Sequence, residues 1–109
     1  MEAHFNVWIE QRGTVVLSDW RVKLLEAIDE TGSISSAAEK MNVTYHRAWE
    51  KVHEMEEGLN IKLIDAQAGG AGGGGATLTA KGKALIKKFR SFDSGLADLI
   101  ERRYRSAFE

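Results

Sequence analysis

The sequence predicts a mainly α fold with a small β part. The expected architecture is a winged helix-turn-helix with an N-terminal β-hairpin and a long C-terminal dimerisation helix. Three observations predict it. Residues 31–55, TGSISSAAEKMNVTYHRAWEKVHEM, read as a short helix, a tight turn and a longer helix with a mixed polar face. Residues 69–75, GGAGGGG, lie between two short strand-like stretches, so a glycine loop joins two strands after three helices. From residue 80 onward Leu85, Phe89, Phe92, Leu96 and Leu99 step by 4, 3, 4 and 3, a heptad seam.

Composition bounds the rest. A chain of 109 residues with 43% hydrophobic and 28% charged residues suits one globular domain with a modest core. It has no cysteine, which excludes disulfides, thiolate zinc sites and cysteine nucleophiles. Proline is also absent, which favours uninterrupted helices. No apolar run nears the ~20 residues that span a bilayer, so no membrane association is expected. The N-terminus lacks a signal-peptide pattern, and a cytoplasmic location is expected. The net charge of −1 lacks the overall basic footprint of a nucleic-acid binder. The charges are segregated, however: acids gather at 26–30 and 50–57, bases at 81–90 and 102–105.

The elements follow in order. Residues 5–17 read as a hairpin: Phe5, Val7 and Ile9 alternate with Asn6, Trp8 and Glu10, Gln11 to Gly13 turn, and residues 14–17 return. Ser18 caps a helix over 19–31, with Trp20, Leu24, Leu25, Ala27 and Ile28 inward and Gly32 as its stop. Ser33 caps the next helix, 34–41, whose Ala37 and Ala38 allow close helix crossing. Asn42 breaks that helix, Val43 plugs the turn, and Thr44 caps a third helix over 45–57 with Ala48, Val52 and Met55 buried. Residues 61–79 form the wing, with one strand from Ile61 to Asp65 and another from Ala76 to Thr79. A single helix is expected over 80–107, roughly 40 Å long, with Gly95 as a possible kink. Leu85, Phe89, Phe92, Leu96, Leu99 and Ile100 give it more apolar surface than one small domain covers, so a partner helix is expected.

The third helix carries the candidate interface. Thr44, Tyr45, His46 and Arg47 stand at the N-terminal end, where a recognition helix meets bases and phosphates. Arg47 suits guanine O6 and N7 or a phosphate, His46 a base edge, Glu50 cytosine N4, Lys51 a phosphate, and Tyr45 a phosphate or a thymine methyl. Trp49 is read as packed rather than groove-facing. Ser33 and Ser35 could hold phosphate at the second helix's N-terminus. Gly72, Gly73 and Gly74 could bring backbone N–H groups to the minor groove, and Lys81 is the best placed of the following lysines for a phosphate. Residues 70–75 also match G-x-G-x-x-G, but a strand follows where a dinucleotide site needs a helix. His46, Glu50 and His53 make a poor metal set, and no catalytic constellation stands out, so the chain does not read as an enzyme.

Together these residues resemble the N-terminal DNA-binding domain of ModE-type molybdate-responsive regulators, relatives of LysR-type winged helix-turn-helix proteins. The LysR-like part is Gly32-Ser33-Ile34-Ser35-Ser36-Ala37-Ala38 and Leu78-Thr79-Ala80-Lys81-Gly82. The ModE-like part is Tyr45, Ala48-Trp49, Glu54-Met55 and the wing GGAGGGGATLT. The resemblance implies a transcriptional regulator that binds double-stranded DNA at an inverted repeat as a homodimer. Such proteins continue into a molybdate-binding portion, whereas this sequence ends at Glu109. These residues are therefore expected to bind no cofactor, and the chain reads as a stand-alone regulator, as a protein working with a separate molybdate-binding protein, or as an excised domain. The alternative is a protein-interaction adaptor that pairs with a sensor or a full-length regulator.

Overall fold

In the computed structural model, which describes residues 1–67 and 75–109, the order is β1 (Trp8–Gln11), β2 (Thr14–Ser18), α1 (Asp19–Thr31), α2 (Ile34–Lys40), α3 (Tyr45–Leu59), β3 (Ile64–Ala66), β4 (Ala76–Leu78), α4 (Ala80–Asp93) and α5 (Leu96–Phe108). This is the mainly α, winged helix-turn-helix architecture that the glycine loop and helix pattern predict. β1 pairs antiparallel with β2, and β3 with β4. Arg12 and Gly13 turn the hairpin with φ of 52° and 81°, the two-residue turn whose twist suits paired strands. Val16, Val22, Leu24, Leu25, Ile28, Val52, Met55 and Leu63 are the centre of one core.

The helix starts rest on hydroxyl caps. Ser18, Ser33, Thr44 and Thr79 each accept the backbone N–H three residues on, satisfying a donor that the first turn leaves free. Gly32 closes α1 in the left-handed conformation at φ 82°.

Several boundaries differ from the sequence reading, each for a reason of packing. Residues 5–7 are not strand, because β2 offers partners only to residues 8–11. The N-terminal segment leaves the hairpin instead, and the Met1 carbonyl accepts from Tyr104 Oη at 2.9 Å. Residues 61–63 are not strand either. The Glu56 carboxylate takes the N–H groups of Leu63 and Ile64 at 2.8 and 3.2 Å, and pairing begins at Ile64. α2 ends at Lys40, with Met41 as its cap. α3 runs two residues past 57. A Cβ on Gly58 would lie 2.4 Å from Val16 Cγ1, so this glycine lets a strand approach the helix rather than stopping it. The left-handed stop falls at Asn60, φ 53°.

The last helix is where the expectation of one continuous rod over 80–107 fails. Ser94 turns extended at ψ 128°, Gly95 follows at φ 83°, and two helices result. A residue with a side chain pays steric strain at that φ, so glycine makes a break where a kink was foreseen. The break divides the seam. Phe89, read as a dimer contact, is 2% exposed within the core of its own chain, and Leu85 packs partly against that core. Phe92 is 51% exposed, and α5, which carries Leu96, Leu99 and Ile100, has no buried residue. Among the described residues no helix is long and apolar enough to cross a membrane.

Candidate nucleic-acid interface

The turn between α2 and α3 is built from small residues and one strained one. Ala37, Ala38 and Ala48 are all buried, so the two helices cross with little between their backbones. Asn42 takes a left-handed φ of 57°, and Val43 N–H then bonds the Ala38 carbonyl at 3.0 Å. Thr44 follows as the cap, and this projects Tyr45, His46 and Arg47 outward from the first turn of α3. Tyr45 is 55% exposed, and the other two are also exposed.

Three of the predicted residues meet. Ser33, Ser35 and Tyr45, with Ile34, Ala66, Gly75 and Ala76, line one cleft of about 180 Å³. The wing base is tied there, because Ala76 N–H donates to the Gly32 carbonyl at 2.8 Å. Ser33 Oγ already accepts from Ser36 N–H at 2.9 Å, so its hydroxyl serves the helix cap. Lys81 is exposed in the first turn of α4. Thr79 fixes that turn by accepting from Gly82 N–H and donating to the Lys62 carbonyl. Gly72, Gly73 and Gly74 lie outside the described residues.

Lys51 and Trp49 are corrections. The sequence reading offers Lys51 to a phosphate, but its side chain is only 19% exposed and its Nζ is 3.3 Å from Glu54 Oε2. Arg21 of α1 donates to the same Glu54 at 3.0 Å and to the Lys51 carbonyl at 3.4 Å. Burial pushes the Glu54 carboxyl up, but the hydrogen bonds from Arg21 and Lys51 outweigh it and hold the group below its ordinary range. Lys51 therefore helps to fasten α3 to α1. Nothing in the sequence singles out Arg21, because its partner lies 33 residues away, a distance no local pattern reveals. Trp49 was read as packed, yet it is 41% exposed. The buried row is Ala48, Val52 and Met55, and position 49 falls on its flank, where the indole lies against His53 at 3.8 Å between ring centres.

The helix is electrically lopsided. Its first turn carries His46 and Arg47, and its later turns carry Glu50, Glu54, Glu56 and Glu57. His46 Nε2 stands 3.4 Å from Glu50 Oε2, so the two predicted base readers also face each other. The free N–H groups and positive dipole end of α3 add to the same first turn. An anion is favoured there and disfavoured further along. Among the described residues no three His, Asp or Glu side chains cluster to hold a metal ion.

Comparison with known proteins agrees with this geometry. Residues 21–83 match the family model described as bacterial regulatory helix-turn-helix protein, lysR family. The chain is 42% identical over 80 residues to the molybdenum-pterin-binding protein MopB of Rhodobacter capsulatus, covering 73% of this chain and 30% of that protein. It is 31% identical over all 109 residues to the DNA-binding transcriptional dual regulator ModE of Escherichia coli (strain K12), covering 38% of it. The chain thus spans about a third of the length of these relatives. Among solved structures, the CbnR_DBD–DNA complex aligns with a TM-score of 0.61 and 25% identity over 82% of this chain and 95% of that one. The BenM_DBD/benA site 1 DNA complex aligns at 0.59 with 19% identity, a likeness of fold.

Proposed function

The chain belongs to the lysR family of bacterial regulatory helix-turn-helix proteins, and on that footing we propose that residues 1–109 read DNA for a dimeric regulator linked to molybdenum. The link comes from the relatives' own names, a molybdenum-pterin-binding protein and a DNA-binding regulator. One observation carries the DNA reading. A cleft joins Ser33, Ser35 and Tyr45 to the wing base, and Tyr45 shares the exposed first turn of α3, its positive end, with His46 and Arg47. Thr44 orders that end, Glu50 stands next to His46, and Lys81 reaches flanking phosphate. Gly72, Gly73 and Gly74, outside the described residues, are the proposed backbone contacts to the minor groove. Phe92, Leu96, Leu99 and Ile100 pair two copies, and the paired heads read an inverted repeat. In this reading residues 1–109 hold no cofactor, and molybdate is sensed by a separate molybdate-binding protein or portion.

Binding to a random duplex library and to promoter DNA of molybdenum-transport genes tests the proposal. Arg47→Ala is expected to cost about 1 to 3 kcal/mol and to relax one base preference. Lys81→Ala weakens all sequences alike and flattens the salt slope. If both variants select the same sequences with the parent's affinity and salt dependence, the interface lies elsewhere. The adaptor reading is favoured by α5, none of whose apolar side chains is fully buried among the described residues. It predicts pairing with a second protein and no sequence-selective DNA binding at any salt concentration.

A further inference from the structure

Tyr45, Trp49 and His53 lie at i, i+4 and i+8 of α3 and so form one row on its surface. Two of the chain's exposed large side chains, Tyr45 and Trp49, are therefore one turn apart on the recognition helix. The Trp49 indole is held still. The His53 ring lies almost parallel to it, 3.8 Å between centres at 24°, and the His46 ring flanks it at 6.5 Å and 12°. A carbonyl can only accept, so His53 Nδ1 carries a proton and donates to the Trp49 carbonyl at 2.8 Å. That bond pins the imidazole against the indole. Glu56 stands one turn further on, where its Oε2 accepts from the N–H groups of Leu63 and Ile64 at the base of the wing.

A rigid apolar ring at a surface has met its ordering cost before any partner arrives. Trp49 also sits in the first half of α3, beside Glu50 but ahead of Glu54, Glu56 and Glu57, whose charge repels phosphate. In the major groove the apolar group on the base edges is the thymine C5-methyl, and an indole face has no acceptor or charge that would suit another edge better.

We propose that Trp49 reads a thymine methyl in the major groove, with His53 as its positioning residue. The proposal rests on the DNA-reading function above and adds a base to it. The test begins with selection of a site from a random duplex library by the whole chain. Each thymine of the selected half-site is then replaced in turn by deoxyuridine, which lacks only the methyl. The parent is expected to lose about four-fold in affinity at one position, the worth of one buried methyl. Trp49→Ala, checked for parental helicity by circular dichroism, binds the thymine site roughly ten-fold more weakly and no longer distinguishes uracil there. His53→Ala lowers the same discrimination, and His53→Phe, which keeps a ring against the indole, restores it. A general loss of structure would not be rescued in that way. The proposal is overturned if the parent binds thymine and uracil duplexes alike at every position, if the half-site contains no thymine, or if Trp49→Ala still discriminates at that position. Failure to select any sequence would instead strike the DNA-reading function, and this inference would fall with it.

Discussion

α4 and α5 share one apolar rhythm in the sequence and have opposite fates in the fold. α4 puts Phe89 into the core at 2% exposure and anchors itself through Arg90, which donates to Asp19 at 2.7 Å and Glu26 at 2.6 Å on α1. α5, after the Gly95 break, buries nothing, and its one described tie to the rest of the chain by a side-chain hydrogen bond is Tyr104 to the Met1 carbonyl. A heptad seam reports that a helix has an apolar stripe. It does not report whether the same chain or another one covers that stripe. Here the first half serves the core's stability, and the second half carries the proposed association.

Phe89→Ala tests the first half and carries the largest expected effect. Truncating a fully buried phenylalanine removes its transfer free energy and leaves a cavity, together about 3 to 5 kcal/mol. Urea unfolding followed by circular dichroism would show this as a lower midpoint at unchanged slope. A loss below about 1 kcal/mol would mean that α4 is no more part of the core than α5.

The parts of the fold that were legible in the sequence are those set by near neighbours. Ser18, Ser33, Thr44 and Thr79 each cap the residues that follow them, and a cap needs only three residues of context. The helix-turn-helix was legible for the same reason: Ala37, Ala38, Asn42, Val43 and Thr44 are contiguous. Most of the errors involve distant partners. Gly58 resembles a stop until Val16 is placed beneath it. Lys51 resembles a phosphate ligand until Arg21 brings Glu54 to it from α1. Trp49 is an exception: it resembles core, yet it falls on the flank of the buried row and lies against His53 one turn on. Phe89 and Phe92 stand three residues apart on one stripe, and only the tertiary fold separates the buried ring from the exposed one.

Arg90 gives the middle effect and a pH signature. The hydrogen bond from Arg90, followed by that from Lys23, holds the Asp19 carboxyl below the ordinary carboxylate range. The same contacts, Glu26 first, raise the already high Arg90 pKa, so this guanidinium stays charged at any working pH. A depressed folded-state pKa makes the carboxylate's contribution present above its ordinary pKa and lost as pH falls through the folded value. Arg90→Ala should therefore cost about 1 kcal/mol near neutrality, since all three side chains are partly exposed and screened. The gap between parent and variant should close as pH falls from about 5 to 2. Melting temperatures across that range check this. A gap that stays constant would mean that α4 is held by packing alone.

Leu99→Ala probes the second half and should leave the head almost untouched. Leu99 is 40% exposed, and truncation at such a surface position usually shifts stability by no more than about 0.5 kcal/mol. Its effect should fall on association instead. If a second α5 covers it, each copy loses the burial of a leucine, and dimers should dissociate roughly ten-fold or more readily, read by sedimentation over a dilution series. The pairing of results matters more than either alone. Unfolding comparable with that of Phe89→Ala would place α5 in the same cooperative unit as the core. Unchanged association with an unchanged fold would mean that the dimer uses another surface, and that the apolar stripe of α5 meets a different partner.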